Sequence, residues 1–567
     1  MFQAIEKKAP TRERRGVPAE QPVRIAHVVS VSGSHAIAIL ERSADAAARA
    51  KDPRIQIGAA VKILTPGASV IGLVSSVSSP MPDIDGKREE IGLIEINLAG
   101  ETRIDDASRR LSFRRGVSSL PSLGDPVYLA DKHDLTRIYA PPSVASIKVG
   151  TLFQNSAVPA RLLIDDLLSK HFIVVGSTGS GKSSALTCVL QRLLEESIGA
   201  HVVILDIHNE YSLAFGDLVE NINLENFNLP LWMLNFQELI VALTSNEGTR
   251  EEEIEILSEG VLHAKRRYAD NAAGRAALLS RRPGDISVIT VDTPAPFRLS
   301  DVIAYIEEQL GKLERTRATL PHRRLKARIE SLVADQRYNF MFGSLTVQDT
   351  MTSVLSRLFR MPNDGKPISV IDLSTVPHEI LDVVISVISR LAFDLAVWSK
   401  GGCPMLLVCE EAHRYAPADP GKFAPTRQAL GRIAKEGRKY GISLALVTQR
   451  PSELDSTILS QCSTAIALRL SSDKDQQVIK GSTYEGMLDL IDFLPLLGDR
   501  EGLILGQGVS MPMRIRFDEL GTQKRPKNMN IGFSKSWKSQ NMDREQLDTI
   551  VSRWRTTGRE KSDSGVG

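Results

Sequence analysis

The sequence predicts an α/β protein whose mostly parallel core sheet follows a small β-barrel and is interrupted by a helical insertion. Three observations predict it. Short β-type runs at close spacing fill residues 23–145. From His171 onward, short apolar runs alternate with helical ones, the pattern of a parallel sheet covered on both faces. Between residues 236 and 350 that alternation stops and a stretch rich in Glu, Arg, Lys, Leu and Ala takes its place.

The barrel runs are VRIAHVVSVS, HAIAILE, AAVKILT, SVIGLVSSV, IGLIEINLAG and DPVYLA, separated by Gly, Pro, Ser and Asp turn signals. Residues 1–22 carry charge, Pro10, Pro18 and Pro22 but no periodicity, and read as disordered. Residues 141–166 read as a connector. The core then starts with the strand FIVV, a helix with Leu186, Val189, Leu190, Leu193 and Leu194 on one face, and the strand HVVILD. After the insertion come ISVIDLS, a long helix, MLLVCEE, a second helix, ISLALVTQR and TAIALRL, then the hairpin-like pair GLILGQG and MRIRFDE. The expected domains are 1–22, a barrel at 23–145, core at 146–235, insertion at 236–350, core at 351–520 and a tail at 521–567. Within the tail, Leu547, Ile550, Val551 and Trp554 share one face of a helix over 544–555.

Composition bounds the function. At 567 residues the chain exceeds one ordinary domain, and 42% hydrophobic with 24% charged residues is globular rather than disordered or fibrous. The net charge of +2 argues neither for nor against nucleic acid, because a pore can concentrate basic groups on a near-neutral chain. Cys188, Cys403, Cys409 and Cys462 form no CxxC pair, so reduced buried thiols are expected and a zinc site is not. The start of the chain is polar and charged rather than a secretory signal. The apolar stretch 380–398 is broken by Asp382, Arg390 and Asp394, so it reads as a buried helix and not a membrane span. A cytoplasmic protein is expected.

The strongest motif is GSTGSGKS at 176–183, a full GxxxxGK[ST] after a strand and opening a helix. Its glycines let the backbone turn N–H groups onto phosphates, and the helix N-terminus adds a favourable dipole. Gly176, Ser177, Thr178, Gly179, Ser180, Gly181, Lys182, Ser183 and Ser184 are therefore the expected ATP-binding residues. Lys182 contacts the β- and γ-phosphates and Ser183 holds Mg²⁺. The strand MLLVC ends in Glu410 and Glu411; the first is placed near Mg²⁺, the second as the group that polarises water. Gln449, in TQRP at the end of the next strand, senses the γ-phosphate or positions water. In DIHNEY, Asp206 can assist at the metal and Glu210 can orient water, while His208 suits a structural hydrogen bond as well as a chemical role. A ring motor needs a positive group from the neighbouring subunit, and Arg438 and Arg432 are the candidates, Arg438 first. DNA-contact candidates are Arg414, Lys422 and Arg427 around the loop 416–425, and Arg323, Arg324, Lys326 and Arg328 in the insertion.

GSTGSGKS, DIHNEY, CEEAHRY, EGRKYGISLALVTQRP and TAIALRL, in this order, resemble the HerA-like family of hexameric ATPases, related to FtsK-type DNA pumps. The resemblance implies a RecA-like P-loop core, an N-terminal barrel, a C-terminal brace, and a homo-hexamer that threads duplex DNA using ATP and Mg²⁺. It also implies a separate effector docked on the barrel: a nuclease in end resection, or a nuclease or NAD-degrading sirtuin-like protein in anti-phage defence. The alternative is an ATP-regulated scaffold that assembles and activates its partner. A conjugation or secretion motor is a third reading, which the absence of a predicted membrane span disfavours.

Overall fold

The computed structural model describes residues 24–41, 55–79, 92–104, 111–140, 144–244, 250–277, 289–312, 319–343, 347–419, 421–482, 485–527, 537 and 544–555. The segment expected to be disordered, 1–22, lies outside them, as does much of the tail. The chain divides after Pro141 into two units.

In the first unit, period-two alternation closes a barrel. Its strands are β1 (Arg24–Ser32), β2 (His35–Leu40), β3 (Ala60–Thr65), β4 (Ala68–Ser78), β5 (Leu93–Ile104), β6 (Leu111–Arg115) and β7 (Pro126–Leu129), followed by helix α1 (Lys132–Tyr139). The order β2-β1-β7-β3-β4-β5 returns on itself because β2 also pairs with β5, while β6 only extends β5. Closure removes the open edges that would invite aggregation. Ala26, Val28, Ala36, Ala38, Val61, Ile63, Val70, Val74, Ile94 and Ile96 point inward and form the core. The sequence reading misses β6 because its side chains are mostly exposed and carry no inward alternation. It misses α1, which opens on a capping box between Asp131 and Asp134.

The second unit contains β8 (Ser146–Leu152), β9 (Pro159–Leu163), β10 (His171–Val175), α2 (Lys182–Glu196), β11 (Val202–Asp206) and β12 (Val219–Ile222). The insertion follows as α3 (Phe236–Leu243), α4 (Arg250–Ala277), α5 (Leu299–Lys312) and α6 (Leu320–Ala334), after which α7 (Met351–Phe359) packs on β11 and on the strand that follows this helix. The core resumes with β13 (Ile368–Asp372), α8 (His378–Trp398), β14 (Met405–Cys409), α9 (Ala424–Glu436), β15 (Ile442–Thr448), β16 (Cys462–Ala467), α10 (Asp473–Ser482), β17 (Glu501–Gly506) and β18 (Met513–Phe517). Helix α11 (Arg544–Arg555) ends the described chain, with Leu547 and Ile550 largely exposed.

The sheet order is β12-β13-β11-β14-β15-β10-β16-β17-β18-β8-β9. Pairing is parallel from β12 to β16 and antiparallel from β16 to β9. Strands β10, β11, β14 and β15 are wholly buried, as their unbroken apolar runs require. One expectation is corrected. The stretch 141–166 is not a bare connector: it holds the hairpin β8–β9, which pairs with β18 and extends that end of the sheet. The signal was present, because Ile147, Val149 and Leu152 point inward while Lys148 points out.

The insertion buries Leu257, Val261, Val302, Ile306, Leu325 and Ile329 between its own helices. Helix α8 is buried over most of its length, as its apolar sequence predicts. Among the described residues no helix is long and apolar enough to cross a membrane.

Candidate nucleotide site

Four parallel strands end side by side, and each delivers one part of the site. β10 runs into the glycine-rich loop. Gly181, the N-cap of α2, has φ 96°, a left-handed conformation that a side chain would strain. At Gly176 a Cβ would lie 2.4 Å from Ser180 Oγ and 2.9 Å from Leu468 Cβ, so only glycine lets the loop fold this tightly. Ser177 N–H donates to Arg469 O at 2.8 Å and Ser180 N–H to Ser177 O at 3.1 Å. The first N–H groups of α2 are left without intrahelical partners, open to an anion.

Lys182 is buried, and its Nζ lies 3.4 Å from Ser177 O. Burial pushes its ammonium below the ordinary lysine range, while Glu411, Glu410 and Glu210 draw it back up. Ser183 donates to Glu210 Oε2 at 2.5 Å. Glu210 is held there by Asp206, whose fully buried carboxylate accepts from the N–H groups of His208 and Glu210, each at 3.2 Å, and of Tyr211 at 2.9 Å. Asp206 therefore builds the turn, and a metal-ligand role competes with the backbone groups it already serves. His208 contributes its backbone to this turn and leaves its ring exposed.

At the end of β14, Glu410 and Glu411 are 1% and 3% exposed. Burial raises the Glu410 carboxyl well above the ordinary range, reinforced by Glu210, Asp206 and Glu411. Glu410 Oε2 and Glu411 Oε2 are both buried without a hydrogen-bond partner. Acceptors left in this condition mark a place where a cation or proton is to arrive. Among the described residues no group of three or more His, Cys, Asp or Glu is arranged to hold a metal by itself. A Mg²⁺ that entered with a nucleotide would be held chiefly by phosphate oxygens and water, with one or two protein ligands. Ser183 and Glu410 are the side chains suited to that contact.

β15 lies between β10 and β14, so the loop and the carboxylates are separated by one strand. Gln449, at the end of β15, spans the gap. Its Nε2 donates to Glu411 Oε1 at 2.5 Å, and its Oε1 accepts from Thr178 Oγ1 at 2.5 Å. Glu411 itself has φ 46°, an unusual conformation for a non-glycine residue and one found at sites where side chains must be aimed.

Two neighbours escaped the sequence reading. Thr448 Oγ1 accepts from Arg450 N–H at 3.0 Å and lies 3.0 Å from His413 Nδ1. Burial lowers the His413 pKa, in keeping with a neutral ring. Nδ1 also sits 3.3 Å from Glu411 Oε2. The only sequence signal was adjacency, His413 in EEAH and Thr448 before Gln449.

The other candidates scatter. Arg432 stacks on the Phe393 ring at 4.4 Å and lies 3.9 Å from Asp394. Arg438 is exposed in the turn that precedes β15, away from the strand ends that carry the site. The residues 416–418 are fastened to 453–455 through Ala418 N–H to Glu453 O, Asp455 N–H to Ala416 O and a bridge between Pro417 and Leu454. Lys422 pairs with Asp419 and Arg427 with Asp455, and Arg414 is exposed. On α6, Arg323, Arg324 and Arg328 are exposed, while Lys326 pairs with Glu307 and Glu330.

Residues 147–392 match the family model "Helicase HerA, central domain". A Pyrococcus furiosus protein named DNA double-strand break repair helicase HerA is 26% identical over 430 residues, covering 69% of this chain and 72% of that protein. Its namesake from Sulfolobus acidocaldarius is 26% identical over 521 residues, covering 89% of this chain and 96% of that protein. Among solved structures, VirB4 of Thermoanaerobacter pseudethanolicus aligns with a TM-score of 0.46 at 15% identity, over 67% of this chain and 98% of that one. Over residues 147–392 the chain is thus similar to the HerA central domain, and over most of its length to the two archaeal helicases.

Proposed function

We propose that this chain is an ATP-driven DNA translocase or helicase that works as a ring of six copies on duplex DNA. The observation that carries the reading is the convergence of Lys182, Ser183, Glu210, Glu410, Glu411 and Gln449 at one sheet edge, with two buried carboxylate oxygens unpartnered. The DNA substrate is supported by the helicase relatives.

In this mechanism the loop N–H groups and Lys182 hold the triphosphate. Ser183 and Glu410 would hold its Mg²⁺, which would offset negative charge on the phosphates. Glu411 Oε2 accepts a proton from the attacking water as the phosphoryl group departs in line. Gln449 touches both the loop and Glu411, so a γ-phosphate entering between them breaks the bridge and frees Glu411. Positive charge from outside the subunit completes the site. Arg438 suits that role: it precedes β15, whose span of about 20 Å separates it from its own nucleotide.

The effector, a separate nuclease or NAD-degrading protein, docks on the barrel in this reading, and DNA processing or anti-phage defence is the setting. The test is ATP hydrolysis by the purified chain with and without linear duplex DNA, together with its mass in solution. DNA-stimulated turnover and a six-subunit mass are expected. Slow turnover indifferent to DNA would overturn the motor and favour the scaffold that activates its partner.

A further inference from the structure

We infer that residues 517–527 form the nucleoside half of the ATP site and couple its occupancy to Glu210; this rests on the phosphate reading of the P-loop. The argument begins with direction. The carboxylates lie on the β14 and β11 side of β10. A triphosphate whose γ end faces Glu411 must send its nucleoside the other way, towards β16, β17 and β18. A cavity of about 300 Å³ opens there, bordered by Gly179, Gly181 and Ser184, a size suited to a small ligand.

The cavity has an apolar floor and a charged rim. Leu468 and Phe517 are buried beneath it. The Phe517 ring lies against Gly502, where a Cβ would come within 2.8 Å of it. Arg500, in a left-handed turn at φ 60°, and Arg525 both pair with Glu519, at 3.3 and 2.8 Å. All three side chains are exposed and able to turn inward. Guanidinium planes stack on bases, and a carboxylate accepts from ribose hydroxyls.

The same segment then crosses α2. Asp518 pairs with Lys148 at 3.3 Å and Arg192 at 3.5 Å. Lys524 O accepts from Gln191 Nε2 at 3.0 Å. Lys527 N–H donates to Glu210 O at 2.8 Å, and its Nζ lies 3.3 Å from Asn209 Oδ1. One strap therefore touches the cavity at one end and the backbone of the residue that holds Ser183 at the other.

Equilibrium binding of Mg-ATP and of Mg-tripolyphosphate to the full-length protein tests this. Replacing both Arg500→Ala and Arg525→Ala should weaken ATP about tenfold and leave tripolyphosphate unchanged. Their exposed ion pairs contribute little to folding, so the variant remains measurable. Equal loss for both ligands, or none, overturns the nucleoside assignment. Lys182→Ala should weaken both ligands; if it weakens neither, the phosphate reading itself fails. Lys527→Pro removes the N–H to Glu210 and should lower kcat several-fold at unchanged ATP affinity, and an unchanged kcat overturns the coupling.

Discussion

Glu238 and Glu410 are each 1% exposed, yet they are opposite constructions. Glu238 caps α3 by accepting from Asn235 N–H at 2.8 Å, and it accepts from Ser386 Oγ at 2.8 Å and Arg390 at 2.9 Å. Arg390 continues to Met233 O and Asp394. Every lone pair has an answer, so this charge locks the insertion onto α8. Glu410 has carboxylates for neighbours and an unpartnered Oε2. A buried charge that is neutralised belongs to the framework; one left with an unpartnered oxygen marks a candidate site.

The sharpest way to break that contrast is at the site itself. Lys182→Ala and Glu411→Gln should each lower ATP turnover by about a thousandfold, while Glu411→Gln still binds nucleotide; near-normal hydrolysis in both would falsify the assignment. Arg438 and Arg432 pose the same contrast on the surface, one exposed and one stacked on Phe393. Arg438→Ala should reduce turnover of the assembled ring by about a hundredfold or more. Arg432→Ala should cost only ~1 kcal/mol of stability, and steady-state kinetics beside urea unfolding would expose a reversal.

Within the framework, Glu238→Ala strands the half-buried Arg390 and should cost about 3 kcal/mol. Glu410→Gln should leave the nucleotide-free protein as stable as before, since it removes a carboxyl that burial already disfavours as an anion. Denaturant titration of both variants compares them directly, and equal losses would erase the distinction.

The smallest effect is a pH dependence at Lys265. Its ammonium is buried, donates to Val291 O and Thr293 O at 2.6 and 2.7 Å, and lies over the Phe297 ring. Burial lowers its pKa from 10.5 to about 8. The unfolded chain thus binds more proton between those values, so this group's contribution to stability rises with pH across that window and is flat below about 8. The difference in Tm between wild type and Lys265→Met should shift in favour of wild type over that range. A difference independent of pH would show that Lys265 ionises normally in place.

Much of the site was legible because its parts sit at strand ends. A wholly apolar run such as MLLVC declares a buried strand, and the polar residues after it must lie at its mouth. That logic names Lys182, Glu410, Glu411 and Gln449 as candidates, and the fold brings them together. It could not show that Asp206 also folds the next turn, where its carboxylate accepts from the backbone N–H groups of His208, Glu210 and Tyr211. Nor could it see His413, whose role depends on Thr448 being brought alongside by β-pairing.

The sequence by itself determined the positions of most strands and helices and the phosphate loop. Each of these follows from periodicity and turn chemistry within a few residues. Tertiary structure alone decided the pairings across distance: Thr178 with Gln449, 271 positions apart, the hairpin β8–β9 beside β18, and the strap that joins Lys527 to Asn209, 318 positions apart. The reason is physical. Periodicity tells a segment to bury one face, but any apolar surface would satisfy it. Which surface it meets is settled only when the whole sheet packs and each strand end finds its neighbour.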